Sequence, residues 1–131
     1  MQYGDNKQFT VRDSAVLTDT YVAGTVINLT DGGFNQLVIY PSFTIGSLTS
    51  AEIKVEFSKD GTTYHQETLE EPTSASGTIT AYAAEHKLGS TYNPRIPVPI
   101  HSGETHIKIS AKGTGTMTNS LLAINATVAN V

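Results

Sequence analysis

His101 and His106 flank the four residues Ser-Gly-Glu-Thr, a turn able to bring two imidazoles together. Two imidazoles supply half of a tetrahedral zinc site, which needs four nitrogen, sulfur or oxygen ligands. No carboxylate stands at a recognised ligand spacing from either, and the chain has no cysteine to offer a thiolate. His106 also alternates with Lys108 and so belongs to the polar face of a strand, while His65 and His86 are isolated. Ser58, Asp60, Gly61 and Thr63 make an S-x-D-G-x-T turn, a pattern that sometimes neighbours calcium. Calcium takes six to eight oxygens, and neither a D-x-D-x-D run nor a terminal Glu is there to supply them. Acid–base chemistry between two carboxyls has Glu70-Glu71 and Glu52/Glu56 as its nearest candidates. Glu52 and Glu56 share a strand face with Lys54, so cross-strand charge pairing accounts for them more simply. There is no G-x-S-x-G elbow and no coherent Ser/His/Asp order. Asp31-Gly32-Gly33 and Gly113-Thr114-Gly115 read as hairpin turns rather than phosphate cradles. No catalytic residue, no cofactor-binding residue and no metal ligand is assigned on this reading, and no enzymatic activity is expected.

Six tyrosines (Tyr3, Tyr21, Tyr40, Tyr64, Tyr82 and Tyr92) raise a different chemistry, the stacking of sugars. Tryptophan, the preferred stacking residue, is absent. Core or rim positions, with an apolar ring and a hydrogen-bonded hydroxyl, are the expectation for them.

The elements that would hold these groups are strands. In residues 52–58, Ile53, Val55 and Phe57 alternate with Glu52, Lys54, Glu56 and Ser58. A period of two with β-branched and aromatic residues marks a half-buried antiparallel strand. Asp60-Gly61 then accepts the positive φ angles of a hairpin loop, and a Thr-rich strand returns through Tyr64 to Leu69. Further strands are predicted at residues 9–17, 21–29, 34–45, 94–100, 105–112 and 116–131. Pro41 lacks a donor and is expected at a bulge or bend. Residues 70–77 (EEPTSASG) are expected to form a surface loop, and 78–88 a strand followed by a short helical turn through Ala83, Ala84 and Glu85. In PRIPVPI (94–100), Ile96, Val98 and Ile100 share one face, and Pro97 and Pro99 remove donors along one edge. Such a strand pairs fully on one side only and belongs at the margin of a sheet. Eight to nine strands separated by Gly-rich turns predict an all-β protein, an antiparallel β-sandwich of jelly-roll or Ig-like kind. The expected organisation is an N-terminal arm, residues 1–8, and one sandwich domain, residues 9–131.

Composition narrows the function classes. The chain has 131 residues, enough for one self-sufficient core, and Thr occurs 19 times and Ser 11 times among 15% charged residues. Thr gives strand propensity to a solvated face without hydrophobicity. The net charge is −4 and no basic cluster exists, so direct nucleic acid contact is not expected. No apolar run is long enough to span a membrane as a helix, and MQYGDNKQF carries no secretory signal pattern.

Three stretches, IKVEFSKDGTTYHQET (53–68), YNPRIPVPI (92–100) and HIKISAKGTG (106–115), followed by LLAINATV, resemble small all-β virion structural proteins of tailed bacteriophages. The likeness spans residues 52–116 and the terminal strand; the N-terminal half and EEPTSASG lie outside it. That family has no catalytic residues to carry over. The resemblance implies a non-enzymatic virion protein, such as a capsid decoration or auxiliary subunit, a head–tail connector or a tail-associated subunit. Its partners would be other virion proteins or further copies of itself on a symmetric particle, assembled in a host cytoplasm. The alternative is a carbohydrate- or receptor-binding β-sandwich module, which requires an exposed tyrosine platform. Residues 1–8 and 70–77, polar and unneeded by a core, are the expected contact segments.

Overall fold

Residues 6–30, 33–72 and 77–131 are described by the computed structural model of the chain. Twelve strands run in chain order: β1 (Asn6–Ala15), β2 (Val22–Ala23), β3 (Ile27–Asn28), β4 (Gln36–Thr44), β5 (Leu48–Ser58), β6 (His65–Gln66), β7 (Thr68–Pro72), β8 (Ile79–Ala83), β9 (His86–Leu88), β10 (Ile96–Pro99), β11 (His106–Gly115) and β12 (Leu121–Ala129). Among the described residues no helix forms. The alternation in 52–58 does what its period requires: Ile53 and Val55 are wholly buried, and β5 pairs with β11 from His106↔Ser58 to Gly115↔Leu48.

One sheet has the order β1-β12-β4-β10, and the other β2-β11-β5-β6, with β3 also on β11 and β9 also on β5. β2 and β3 are two pieces of one strand position beside β11, and β6 and β9 two pieces of one position beside β5. Taken so, each sheet has four positions, and the chain alternates between them in the order of a jelly roll. The count exceeds the expected eight or nine because two positions are interrupted and a separate hairpin, β7–β8, is inserted. The facing sides of both sheets form one core, with Leu37, Ile39, Leu122 and Ile124 from the first and Ile53, Val55, Ile107 and Ile109 from the second. Each such side chain contributes about 1.5–3 kcal/mol by leaving water.

Proline sets two features of the first sheet. β10 is its margin, as PRIPVPI predicts, pairing only with β4 through Ile96↔Ile39 to Pro99↔Gln36. Ile100 donates its N–H to Asn35 O at 3.0 Å, so the even residues face β4 and Pro97 and Pro99 turn their donorless edge outward. Pro41 differs from expectation: it lies in unbroken pairing with Ile124 and makes no bulge. Phe43 N donates to Tyr92 O at 3.2 Å on the β10 side, so by alternation Pro41 points that way too. Its missing donor falls between the last β10 pair and the Phe43–Tyr92 bridge, where no ladder bond is lost.

Three other expectations are corrected. Residues 83–85 are not helical; Ala84 and Glu85 link β8 to β9. Glu70, Glu71 and Pro72 are strand, paired with Ala81, Thr80 and Ile79, and the rest of the expected loop up to Ser76 lies outside the described residues. The strand expected through 64–69 is split, β6 staying on β5 and β7 departing into the hairpin. β1 begins at Asn6, inside the expected arm, whose first five residues lie outside the description, as do Asp31 and Gly32 of the expected turn.

Candidate functional site

The two outer faces of the sandwich are chemically opposite. On the second sheet, β5 and β11 place Glu52 opposite Lys112, Lys54 opposite Ser110 and Glu56 opposite Lys108. The register sets opposite charges across the strands as expected of Glu52 and Glu56, but the ion pair formed runs along β5, Lys54 Nζ to Glu56 Oε1 at 3.6 Å, and the face is not open to water. Glu52 is only 9% exposed and accepts hydrogen bonds from Ser50 Oγ and Thr114 Oγ1, both at 2.5 Å. Tyr21 lies over this face with Lys54 Nζ 4.7 Å and Lys112 Nζ 4.9 Å from its ring. Its hydroxyl donates to Glu85. Burial, then the hydrogen bond to and charge of Glu85, then the charge of Glu52, push the phenol above its ordinary range.

The loop between β5 and β6 also folds onto this face. Lys108 Nζ sits 4.2 Å from the Tyr64 ring. The His106 ring lies so close to Gly61 that an added Cβ would meet its Cε1 at 3.0 Å. Gly61 has φ +82°, the positive angle that the Asp-Gly pair was expected to provide. Asp60 Oδ1 accepts from Thr62 N (2.8 Å), Thr63 N (2.9 Å) and Ser58 Oγ (2.9 Å). These bonds, the backbone ones first, lower its carboxyl to about 2. The S-x-D-G-x-T turn thus spends its carboxylate on its own backbone.

His101 and His106 are separated by the fold. His106 Nδ1 is 2.8 Å from Thr105 Oγ1 on the outer face, whereas His101 lines a cavity and donates its backbone N–H to Glu104 Oε1 at 2.7 Å. His86 Nε2 and Glu67 Oε1, 2.8 Å apart, close the base of the β7–β8 hairpin. Among the described residues, no three His, Cys, Asp or Glu side chains are grouped to hold a metal ion. The cavity, about 540 Å³, opens between β5–β6 and β10, with Phe57, Val98 and Pro99 beside His65 and His101. No sequence motif pointed to it, because its walls come from two separate segments, 57–69 and 98–104. Glu70 and Glu71 lie on adjacent, opposite-facing positions of the hairpin, so they do not form a carboxyl pair.

On the outer face of the first sheet the two central strands carry no charge, while exposed Asp13 of β1 and exposed Arg95, opposite Tyr40 in the register that runs from Ile96↔Ile39 to Tyr92↔Phe43, stand at its flanks. β4 turns Val38, Tyr40, Ser42 and Thr44 outward, and β12 turns Leu121, Ala123, Asn125 and Thr127 outward, each set alternating with buried core residues. Gln8 and Thr10 of β1, opposite Thr127 and Asn125, and Pro97 of β10, opposite Val38, extend it. Tyr40 is 42% and Leu121 43% exposed. A shallow hollow of about 460 Å³ lies at its middle, lined by Gln8, Thr10, Tyr40, Asn125 and Thr127 among others. The side chains of Gln8, Thr10, Asn125 and Thr127 make no hydrogen bond to any described residue. The other exposed tyrosines, Tyr82 and Tyr92, lie on β8 and in the segment before β10.

No family model and no curated protein matches the chain. Among solved structures, the SPBc2 prophage-derived protein YomS is similar over 98% of this chain and 96% of its own, at 17% identity and TM-score 0.56. A chain in the structure of infectious bursal disease virus, Gx strain, is similar over 98% of this chain at 13% identity and TM-score 0.52. This chain spans only 33% of the length of that viral chain. At such identities the likeness establishes a shared fold.

Proposed function

We propose that this chain is a non-enzymatic structural subunit of a bacteriophage virion, of the capsid decoration, connector or tail-associated kind. The observation that carries the reading is the end-to-end fold likeness to a prophage-derived protein, 98% of one chain on 96% of the other. A second viral chain with the same fold supports it, as does the resemblance of residues 53–68, 92–100 and 106–115 to virion proteins. The site chemistry agrees with docking rather than turnover. Glu52, Glu67 and Glu85 each already hold a donor, and Glu56 holds a lysine, which leaves them fixing the sheet and its loops. The test is mass spectrometry and cryo-EM of purified particles: the chain in stoichiometric, symmetrically repeated copies is expected. A chain absent from particles and monomeric in the lysate would overturn the reading.

A further inference from the structure

We infer that the hollow around Tyr40, on the outer face of the first sheet, binds one ring of a neutral saccharide. The inference does not depend on the virion role proposed above. Four polar side chains beside the tyrosine come from two strands. Gln8 stands opposite Thr127 and Thr10 opposite Asn125 across β1 and β12, and Asn125 stands opposite Tyr40 across β12 and β4. Strands lie about 4.8 Å apart, and alternate residues about 6.8 Å apart along a strand. The four groups therefore mark the corners of a rectangle of that size, with the tyrosine at its side. Directly opposed polar side chains on a sheet are near enough to bond to each other. Here neither these four nor the Tyr40 hydroxyl makes a hydrogen bond to any described residue. Two carboxamides and three hydroxyls converge with their donors and acceptors unused.

The occupant follows from charge, shape and area. The hollow, about 460 Å³, is lined by neutral residues alone, so an ionised ligand would lose water there and gain no counter-charge. A wholly apolar ligand would cover the amides and hydroxyls and leave them without partners. A ligand whose hydroxyls both donate and accept satisfies all of them. The tyrosine adds a second requirement. Its ring is 42% exposed, and an electron-rich aromatic face packs best against C–H groups. A sugar ring has both, hydroxyls around its rim and a C–H face. A protein partner fits the hollow less well. The uncharged surface is two strands wide, about 300 Å² from two strands of about 30 Å at about 4.8 Å spacing. A stable protein contact takes about 800 Å² per partner. Exposed Asp13 and Arg95 stand at the flanks, so a larger footprint must strip water from them as well. Arg95 lies across Tyr40 from Asn125 and does not line the hollow.

The experiment is a proton–nitrogen NMR titration of the full chain with methyl glucoside, methyl galactoside and N-acetylglucosamine, each to about 100 mM. At least one of them is expected to shift the signals of Gln8, Tyr40 and Asn125 saturably, with Kd of about 1–10 mM. Mannitol, which has the hydroxyls but no ring face, should shift none of them. Tyr40→Ala should weaken binding by at least about tenfold, and Tyr40→Phe, which keeps the ring, by less than about threefold. Tyr82→Ala, at a similarly exposed tyrosine on β8, should leave it unchanged. If Tyr40→Ala fails to fold by circular dichroism, Asn125→Ala on the neighbouring strand serves in its place. The absence of a saturable shift with all three sugars overturns the inference, as does equal binding of mannitol or an unchanged Kd in Tyr40→Ala. Binding of glucuronate alone overturns it too, since that assigns the contact to Arg95. Broadening of these signals with rising protein concentration, without a sugar response, assigns the surface to a protein contact and also overturns it. Particle mass spectrometry keeps the two claims apart. Sugar binding by a chain absent from virions refutes only the virion role, and a virion chain without a sugar response refutes only this site.

Discussion

Gly24 sits between β2 and β3 of the second sheet, where the chain reaches across to touch β1 of the first. Its N–H donates to Ile109 O of β11 at 2.9 Å, and the next residue, Thr25, donates to Val11 O of β1 at 2.8 Å. The two sheets are therefore tied at this point by consecutive backbone donors, and no side chain fits between. A Cβ on residue 24 would lie 2.4 Å from Val11 O and 2.6 Å from Val11 Cγ1. The oxygen belongs to a paired strand and cannot swing away, so Gly24→Ala must push the crossing segment off β1. Forcing a methyl group into packed surroundings costs about 1–3 kcal/mol, and weakening two hydrogen bonds adds about 1 kcal/mol each. The expected loss is about 4 kcal/mol, which for a domain of this size lowers Tm by about 15 °C. Gly89→Ala is the control. Nothing lies within 4 Å of its Cβ and its φ is not in the left-handed region, so a gain of about 0.4–1 kcal/mol from a stiffer unfolded chain is expected. Urea unfolding with calorimetry on both variants decides the matter. If Gly24→Ala stays within about 1 kcal/mol of the parent, the close approach and the inter-sheet tie do not exist as described.

Ile53→Ala empties a fully buried position and should cost about 2–5 kcal/mol in urea unfolding; a loss below about 1 kcal/mol would mean the two sheets do not meet there. Asp60 is held at about 2 by backbone donors, below the ordinary carboxyl value of 3.8. Because the folded value is the lower one, its contribution is complete above about 4 and disappears as pH falls through about 2. NMR titration of its carboxyl carbon should show that midpoint, and one near 4 would mean the turn is not formed. Replacing Pro97 and Pro99 together by Ala restores two outward N–H groups to an edge strand. The monomer's Tm should change little while light scattering on heating rises; unchanged scattering would show that something other than proline guards this edge.

Sequence pattern reported the core strands because a buried face imposes its period on every second residue. Residues 52–58, 96–100, 107–111 and 122–128 all show that alternation and form strands, β10 ending at Pro99, with the expected residues inside except Ile96, which is half-buried. The same pattern is silent on what covers the other face. Glu52, Lys54 and Glu56 read as solvated, yet Tyr21, just before the two-residue strand β2, and the 59–64 loop lie over them. Those contacts join segments with no periodic relation. The hairpin β7–β8 was illegible for a related reason. All five residues of β7 are exposed, so no face of it repeats apolar residues, and Glu-Glu-Pro reads as loop. Interruptions at Gly24 and after Gln66 are equally local and leave no periodic trace. The cavity beside Phe57 and the neutral surface needed the sheet order itself, since the latter exists only once β12 and β4 stand side by side.

The contrast between the two outer faces bears on how such a chain would be built into a larger object. A self-covered face is already a finished surface. On β5 and β11 the charges are paired and capped by tyrosine and by the chain's own loops, so a partner there would displace bonds already made. The face of β4 and β12 has no such cover, and its free amides and hydroxyls lose nothing by exchanging water for a ligand's polar groups. Docking on the neutral face therefore leaves the folded chain unchanged, whereas docking on the charged face requires Tyr21 to move. Tyr21→Phe makes the difference measurable. It removes the bond to Glu85 and should alter the local environment of Lys54 and Lys112 in an NMR spectrum. Unchanged Lys54 and Lys112 signals in Tyr21→Phe would mean that the ring does not cover this face.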